Sequence, residues 1–216
     1  MEAVALKINE IFYSIQGESL LAGKPTVFVR TASCNLKCRW CDTQQTPWQG
    51  KRMEIDEILT EVKNYQTDYV CITGGEPLAQ KGSVVLIDKL LASGYVVSLE
   101  TNGSFSIKDV PRASIKVIDL KCPDSGESES IAWENFSLVA KQDQFKFVVA
   151  SKGDFDWALK ICEDYKLNEK CTVLFSPVYG QVKPADLAAW ILSSHAKATL
   201  QLQLHKEIWG PDEKGV

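Results

Sequence analysis

The stretch Tyr69-Val-Cys-Ile-Thr-Gly-Gly-Glu-Pro77 decides how this chain folds. Its first half is a short apolar, β-branched run, and two glycines and a proline end it abruptly. A strand that is apolar at nearly every position belongs in a parallel sheet covered on both faces. Similar runs recur at Thr26-Val-Phe-Val-Arg30, Tyr95-Val-Val-Ser-Leu-Glu100, Ile115-Lys-Val-Ile-Asp-Leu120, Phe145-Lys-Phe-Val-Val149 and Cys171-Thr-Val-Leu-Phe175. Helical periodicity lies between several of them. From Glu54 to Lys63 the apolar residues 55, 58, 59 and 62 share one helical face. Ser83 to Leu91 and Phe155 to Tyr165 repeat the pattern, and Pro184 opens a further helix that runs through Leu192. The alternation predicts an α/β fold with a parallel sheet. Six good strands fall short of the eight in a closed barrel. The expected architecture is a partial, open (β/α)6-type TIM barrel, a single domain over 1–216. Asp124 to Glu129, acidic and rich in Ser and Gly, reads as an exposed loop.

In such folds, chemistry gathers at the C-terminal ends of the strands. Polar, glycine-rich segments follow the strands here: Thr73 to Pro77, Glu100-Thr-Asn-Gly103, Lys121-Cys-Pro123 and Ser176-Pro-Val-Tyr179. The first strand leads into Cys34-Asn-Leu-Lys-Cys38-Arg-Trp-Cys41. Lys37, Arg39 and Asp42 interleave with or follow these thiols, which argues against a buried core cluster. A closed zinc site or ferredoxin cluster takes four protein ligands. Three thiolates in one loop suggest a four-iron cluster with one iron open to a small molecule. A distant fourth thiol, Cys71 or Cys122, would instead make a non-catalytic iron–sulfur or zinc module.

Bulk properties narrow the setting. The net charge is −4, with 24 basic and 28 acidic residues, so nothing global favours nucleic acid or an anionic membrane. The N-terminus lacks the basic start and apolar core of a signal peptide, and no run approaches a membrane span. Seven cysteines, three of them clustered, fit a reducing compartment better than a disulfide framework, and the cytoplasm is the expected location.

The Cys-x3-Cys-x2-Cys loop followed by Gly74-Gly75-Glu76-Pro77 resembles the radical S-adenosylmethionine (SAM) superfamily. That resemblance implies a [4Fe–4S] cluster on Cys34, Cys38 and Cys41, with SAM chelating the fourth iron. It places Trp40, Cys41 and Asp42 beside SAM, and Gly74, Gly75 and Glu76 at its amino group. Glu100, Thr101, Asp119, Leu120, Lys121, Ser176, Pro177, Val178 and Tyr179 would line the rest of that pocket. Loop packing is an equal role for Trp40, and turn and capping roles compete at the strand ends.

Within the superfamily, Phe12-Tyr-Ser-Ile-Gln-Gly-Glu18, Arg30, Cys41-Asp-Thr43 and His205-Lys-Glu-Ile-Trp-Gly210 resemble the 7-carboxy-7-deazaguanine synthase family. The resemblance runs from about Ile8 to Trp209. It implies ring contraction of 6-carboxy-5,6,7,8-tetrahydropterin with loss of ammonia, giving a precursor of queuosine or another deazapurine. It further implies Mg²⁺ at Thr43, substrate contacts at Ile15, Gln16, Gly17, Glu18, Arg30, Thr73 and His205, and a homodimer. The partners implied are an external one-electron reductant of the flavodoxin or ferredoxin type, with no nucleic acid and no membrane. Arg30 offers a planar fork to a carboxylate, and the Gln16 amide can meet the donor–acceptor edge of a pterin. A single hydroxyl such as Thr43 suits Mg²⁺, which keeps waters and takes other ligands from substrate. Ser19 stands where the family often has glycine, and serine resists a positive φ. A glycyl-radical-enzyme activase is the rival within the superfamily; it needs a groove for a protein loop.

Overall fold

The computed structural model describes residues 4–41, 50–211, 213 and 215. Asp42 and Thr43, with the SAM and Mg²⁺ roles expected of them, lie outside the described residues. The strands are β1 (Ala5–Ile15), β2 (Pro25–Thr31), β3 (Lys51–Glu54), β4 (Tyr69–Gly74), β5 (Val96–Thr101), β6 (Ile115–Leu120), β7 (Gln144–Val149), β8 (Thr172–Pro177) and β9 (Thr199–Leu200). The helices are α1 (Ile55–Val62), α2 (Gly82–Ala92), α3 (Asn135–Leu138), α4 (Lys152–Asp164), α5 (Leu167–Lys170), α6 (Pro184–Ser193) and α7 (Leu204–Trp209).

All strands join one open sheet in the order β3-β1-β2-β4-β5-β6-β7-β8-β9. From β2 onward the ladders are parallel, and β1 and β3 add an antiparallel flank. The six expected strands are all present, in an open barrel-like sheet. The helical complement is incomplete, however: β5 reaches β6 without an α-helix, and β6 reaches β7 through the four-residue α3 and two 3-10 turns.

Side chains alternate between the two faces of a strand, and the register shows what each face carries. Val29, Ile72 and Leu99 lie in one row, and Ile118 pairs with Phe145. With Val27, Val70, Val97, Phe147 and Phe175 they enter the main hydrophobic cluster. Ile58 and Val62 of α1, Leu86, Ile87 and Leu90 of α2 and Phe155 and Ala158 of α4 complete it. Ile58, Leu86 and Leu90 are wholly excluded from solvent, and each contributes about 1.5–3 kcal/mol through burial. The second face is largely polar. Arg30 sits beside Thr73, Asp119 beside Lys146, and Val148 beside Ser176. The helices therefore cover one face only, and the other presents charge along its length.

Two strands were not expected. β1 carries a register shift between Ile8 and Glu10, so its core positions Leu6 and Ile8 are followed by Ile11, not residue 10. A bulge of this kind breaks the two-residue period by which a strand is read. β3 is a short, charged edge strand. The run Ala198 to Leu204, expected as a strand, pairs with β8 only at Thr199 and Leu200, and Leu204 to Trp209 is helical. Among the described residues, no helix is long and apolar enough to cross a membrane.

Candidate active site

The cysteine loop leaves β2 and is tied down along its length. Gly75 N donates to Thr31 O at 3.1 Å and Glu76 N to Ser33 O at 3.0 Å. Lys37 N donates to Glu127 Oε1 at 2.7 Å, and Arg39 N to Ser125 O at 3.1 Å. The acidic segment expected to be an exposed loop is thus a docking rail for the cysteines, with Ser125 buried. The two glycines of the following motif serve the same junction. A Cβ on Gly74, at φ +132°, would fall 2.3 Å from Thr31 O, and one on Gly75 would fall 1.9 Å from Ser33 O. Their absent side chains let two strand ends meet.

Glu76, expected at the SAM amino group, has partners within the protein. It is fully buried, and its carboxylate accepts from Leu78 N at 2.9 Å, Thr101 Oγ1 at 2.8 Å and Asn102 N at 2.7 Å. Burial pushes its carboxyl above the usual range against those donors. It braces β4 to the end of β5, and the Thr101 hydroxyl is spent on it. Leu120 likewise lies in the hydrophobic cluster, so it offers a ligand only its main chain.

Cys38 is buried, and Cys34 and Cys41 are half-buried. Burial raises the Cys34 thiol and pushes Cys38 up to about 11, with neighbouring thiols adding to both and Lys121 opposing at Cys38. Thiols that disfavour each other's charge fit a cationic cluster, which would draw off their protons. Among the described residues, no three carboxylates, imidazoles or thiols converge as a single-ion site requires. Thiolates that each hold a different iron need not converge.

Beside the loop, the polar face carries a chain of buried charge. Lys146 contacts Glu18 and lies 3.3 Å from Asp119, which also meets Lys121 at 3.2 Å. Burial works against the Lys146 cation, and Asp119 and Glu18 together raise it above its ordinary range. Burial also opposes ionised Glu18, but Lys146, with a bond from Gln203 Nε2 to Glu18 Oε1 at 2.6 Å, lowers its carboxyl to about 2. Among the described residues, the buried Asp119 Oδ1 and Ser176 Oγ have no hydrogen-bond partner, and both face this polar side as acceptors for a ligand.

The substrate-side residues are also gathered here, with partners of their own. Gln16 Nε2 donates to Glu100 Oε1 at 3.2 Å, Thr73 Oγ1 to Glu100 Oε2 at 2.9 Å, and Glu18 N to Gln16 Oε1 at 3.1 Å. The Gln16 main chain pairs with Gly23 and Lys24, and Gly17 O accepts from Leu204 N. Gln16 is therefore turned into the protein, and the free acceptor capacity lies on Glu100. Ile15 ends β1 opposite Pro25. His205 rests on Gly17, where a Cβ would come within 2.4 Å of Nδ1. Arg30 gives Nε to Glu10 at 2.7 Å and lies 5.5 Å over the Phe12 ring. Trp40 is half-buried in the loop. Pro177 and Val178 are buried, whereas Tyr179 is exposed beneath Lys206 Nζ at 5.4 Å.

Sequence reasoning missed Lys146, Gln203 and Glu10, and it named Asn102 only within the segment Glu100 to Gly103. Lys146 had a visible signal, a charge inside the otherwise apolar run Phe145 to Val149.

Ser19 does adopt the left-handed conformation, at φ +65°. Its hydroxyl accepts from Leu21 N at 3.1 Å, and its carbonyl accepts from Gln201 Nε2 at 3.0 Å.

An open, mostly parallel sheet with three thiols after its first parallel strand is the build of a radical SAM enzyme. A sequence profile of the Radical SAM superfamily matches residues 28–120. The 7-carboxy-7-deazaguanine synthase of Chlorobaculum tepidum is 44% identical over 214 residues, covering 98% of this chain and 97% of its own. The synthase of Koribacter versatilis is 40% identical, covering 98% of this chain and 100% of its own. QueE from Escherichia coli has the same fold, with a TM-score of 0.76 at 19% identity over 92% of this chain and 94% of its own. The chain belongs to the 7-carboxy-7-deazaguanine synthase family and is a radical SAM lyase. Membership implies SAM and a [4Fe–4S] cluster as cofactors.

Proposed function

We propose that this chain, acting as one domain, converts 6-carboxy-5,6,7,8-tetrahydropterin to 7-carboxy-7-deazaguanine and ammonia, with Mg²⁺ required. The observation that carries the reading is the chain of ion pairs Glu18–Lys146–Asp119–Lys121 on the polar face, at the strand ends from which the cysteine loop and the glycine motif also leave. When bound, the cluster and SAM would supply one-electron hydrogen-abstraction chemistry. Cys34, Cys38 and Cys41 would hold the cluster; Asp119, Lys121, Ser176 and Val178, with the main chain at Gly74, Gly75 and Leu120, would receive SAM.

The protein's part is recognition and positioning. The carboxyl oxygens of Glu18 and Glu100 are acceptors matched to the amino and ring N–H donors of the pterin edge. Gln16 and Thr73 act through Glu100 by holding its carboxylate. Arg30, with Nε anchored by Glu10, turns its terminal nitrogens to the substrate carboxylate. Thr43 would contribute its hydroxyl to bound Mg²⁺, which would supply positive charge beside the substrate carboxylate. His205 closes over Gly17 at the substrate's edge. The working enzyme is a cytoplasmic homodimer reduced by a flavodoxin- or ferredoxin-type donor.

The test is anaerobic turnover of the carboxypterin by reconstituted protein, with and without Mg²⁺, followed by product mass. Formation of 5′-deoxyadenosine without the deazaguanine product would end this reading while leaving the superfamily chemistry standing.

A further inference from the structure

Asn102 follows β5 and is buried, next to the cysteine loop. Its Nδ2 lies 3.7 Å from Cys34 Sγ and 3.1 Å from Asn35 Oδ1. Which way this amide points is not arbitrary. Its Oδ1 accepts from Ser104 N at 3.0 Å and from Ser104 Oγ at 2.6 Å. A backbone N–H can only donate, so the oxygen must face Ser104 and the NH₂ must face the sulfur. Ser104 Oγ in turn accepts from Asn35 Nδ2 at 2.9 Å. Asn35, Asn102 and Ser104 therefore close a ring of hydrogen bonds that aims one N–H at Cys34. The main chain of Asn102 is anchored as well, through its bond to buried Glu76. A second donor, Leu36 N, reaches the same sulfur at 3.4 Å.

We infer that Asn102 is a positioning residue for the cluster: its amide donates to the Cys34 thiolate and raises the cluster's reduction potential. Donors to ligand sulfurs stabilise the more negative, reduced state, and such bonds are among the determinants of iron–sulfur potentials. The ring also gives Glu76 its purpose, because the buried carboxylate fixes the backbone from which the donor projects. The inference concerns electron uptake and needs no particular substrate, so it stands or falls separately from the carboxypterin reading.

The test is an EPR-monitored redox titration of the reconstituted holoprotein, without substrate. Asn102→Leu keeps the volume and removes the donor. It is expected to hold about tenfold less reduced cluster at a fixed poise, a fall of about 59 mV for a one-electron couple. Ser104→Ala, which leaves Asn102 in place but frees its amide, is expected to shift the potential the same way by less. If Asn102→Leu does not retain its cluster, Ser104→Ala and Asn35→Ala carry the measurement. An unmoved potential at full iron content overturns the inference. So does a rise, which reports a loop merely opened to water rather than a lost donor.

Discussion

Lys146 and Glu18, 128 residues apart in the chain, form a largely buried ion pair on the polar face of the sheet. Asp119 shares the lysine, and Gln203 completes the carboxylate. Removing one member of such a pair leaves an uncompensated charge out of water. Lys146→Met is expected to destabilise the protein by about 3–5 kcal/mol in chemical denaturation. The double variant Lys146→Met/Glu18→Gln should lose much less than the sum of the singles, and strict additivity would contradict the pairing.

The same pair predicts an acid limb. Glu18 titrates near 2 in the folded chain against an ordinary 4.5. A depressed folded pKa adds stability above the unfolded value and loses it as pH falls through the folded one. Glu18 should therefore contribute fully above about pH 4.5 and progressively less down to about pH 2. Glu18→Gln should flatten that part of the stability–pH curve; an unchanged slope would count against it.

At Ser19 the strained backbone and the hydroxyl bond oppose one another. Ser19→Ala keeps the left-handed strain and loses the bond to Leu21 N, so it should cost about 1 kcal/mol. Ser19→Gly relieves the strain and should recover that loss. Thermal melts that ranked alanine above glycine would refute this account.

Gly75→Ala would press a methyl group to 1.9 Å from Ser33 O and 2.8 Å from Cys34 N. Backbone atoms cannot step aside as a side-chain tip can. The expected result is a cost of about 1–3 kcal/mol or more, with iron and sulfide content after reconstitution falling well below that of the unaltered protein. Full cluster loading would show that the junction is looser than its geometry.

Gln16→Leu removes the donor that holds Glu100 and leaves Glu18 N without its acceptor. Under the proposed reaction, KM for the carboxypterin should rise on the order of tenfold, as loss of about one good hydrogen bond implies. Cluster content and uncoupled 5′-deoxyadenosine formation should hold. Steady-state kinetics with both readouts separates a substrate contact from a damaged cofactor site.

How much could be read in advance follows from the range of each signal. The six parallel strands showed themselves because apolar runs and the glycine-rich ends that stop them are local. The three thiols were legible for the same reason. β1 escaped because a single-residue bulge shifts its phase, and the segment leading into α7 was read as a strand because the alternation of Gln201, Leu202, Gln203 and Leu204 imitates one. Those glutamines turn inward instead, Gln201 to Ser19 and Gln203 to Glu18.

Composition and periodicity thus determined the class of fold, spacing put three thiols into one loop, and the resemblance of the motifs pointed to the family. What they left undetermined was how polar atoms are spent. The Glu76 carboxylate takes three donors from its own chain, the Gln16 amide donates to Glu100, and Lys146 pairs with two carboxylates. Each outcome depends on register across the sheet and on partners more than 20 residues away. A hydrogen bond is decided by a few tenths of an ångström, and only the closed chain sets distances that finely.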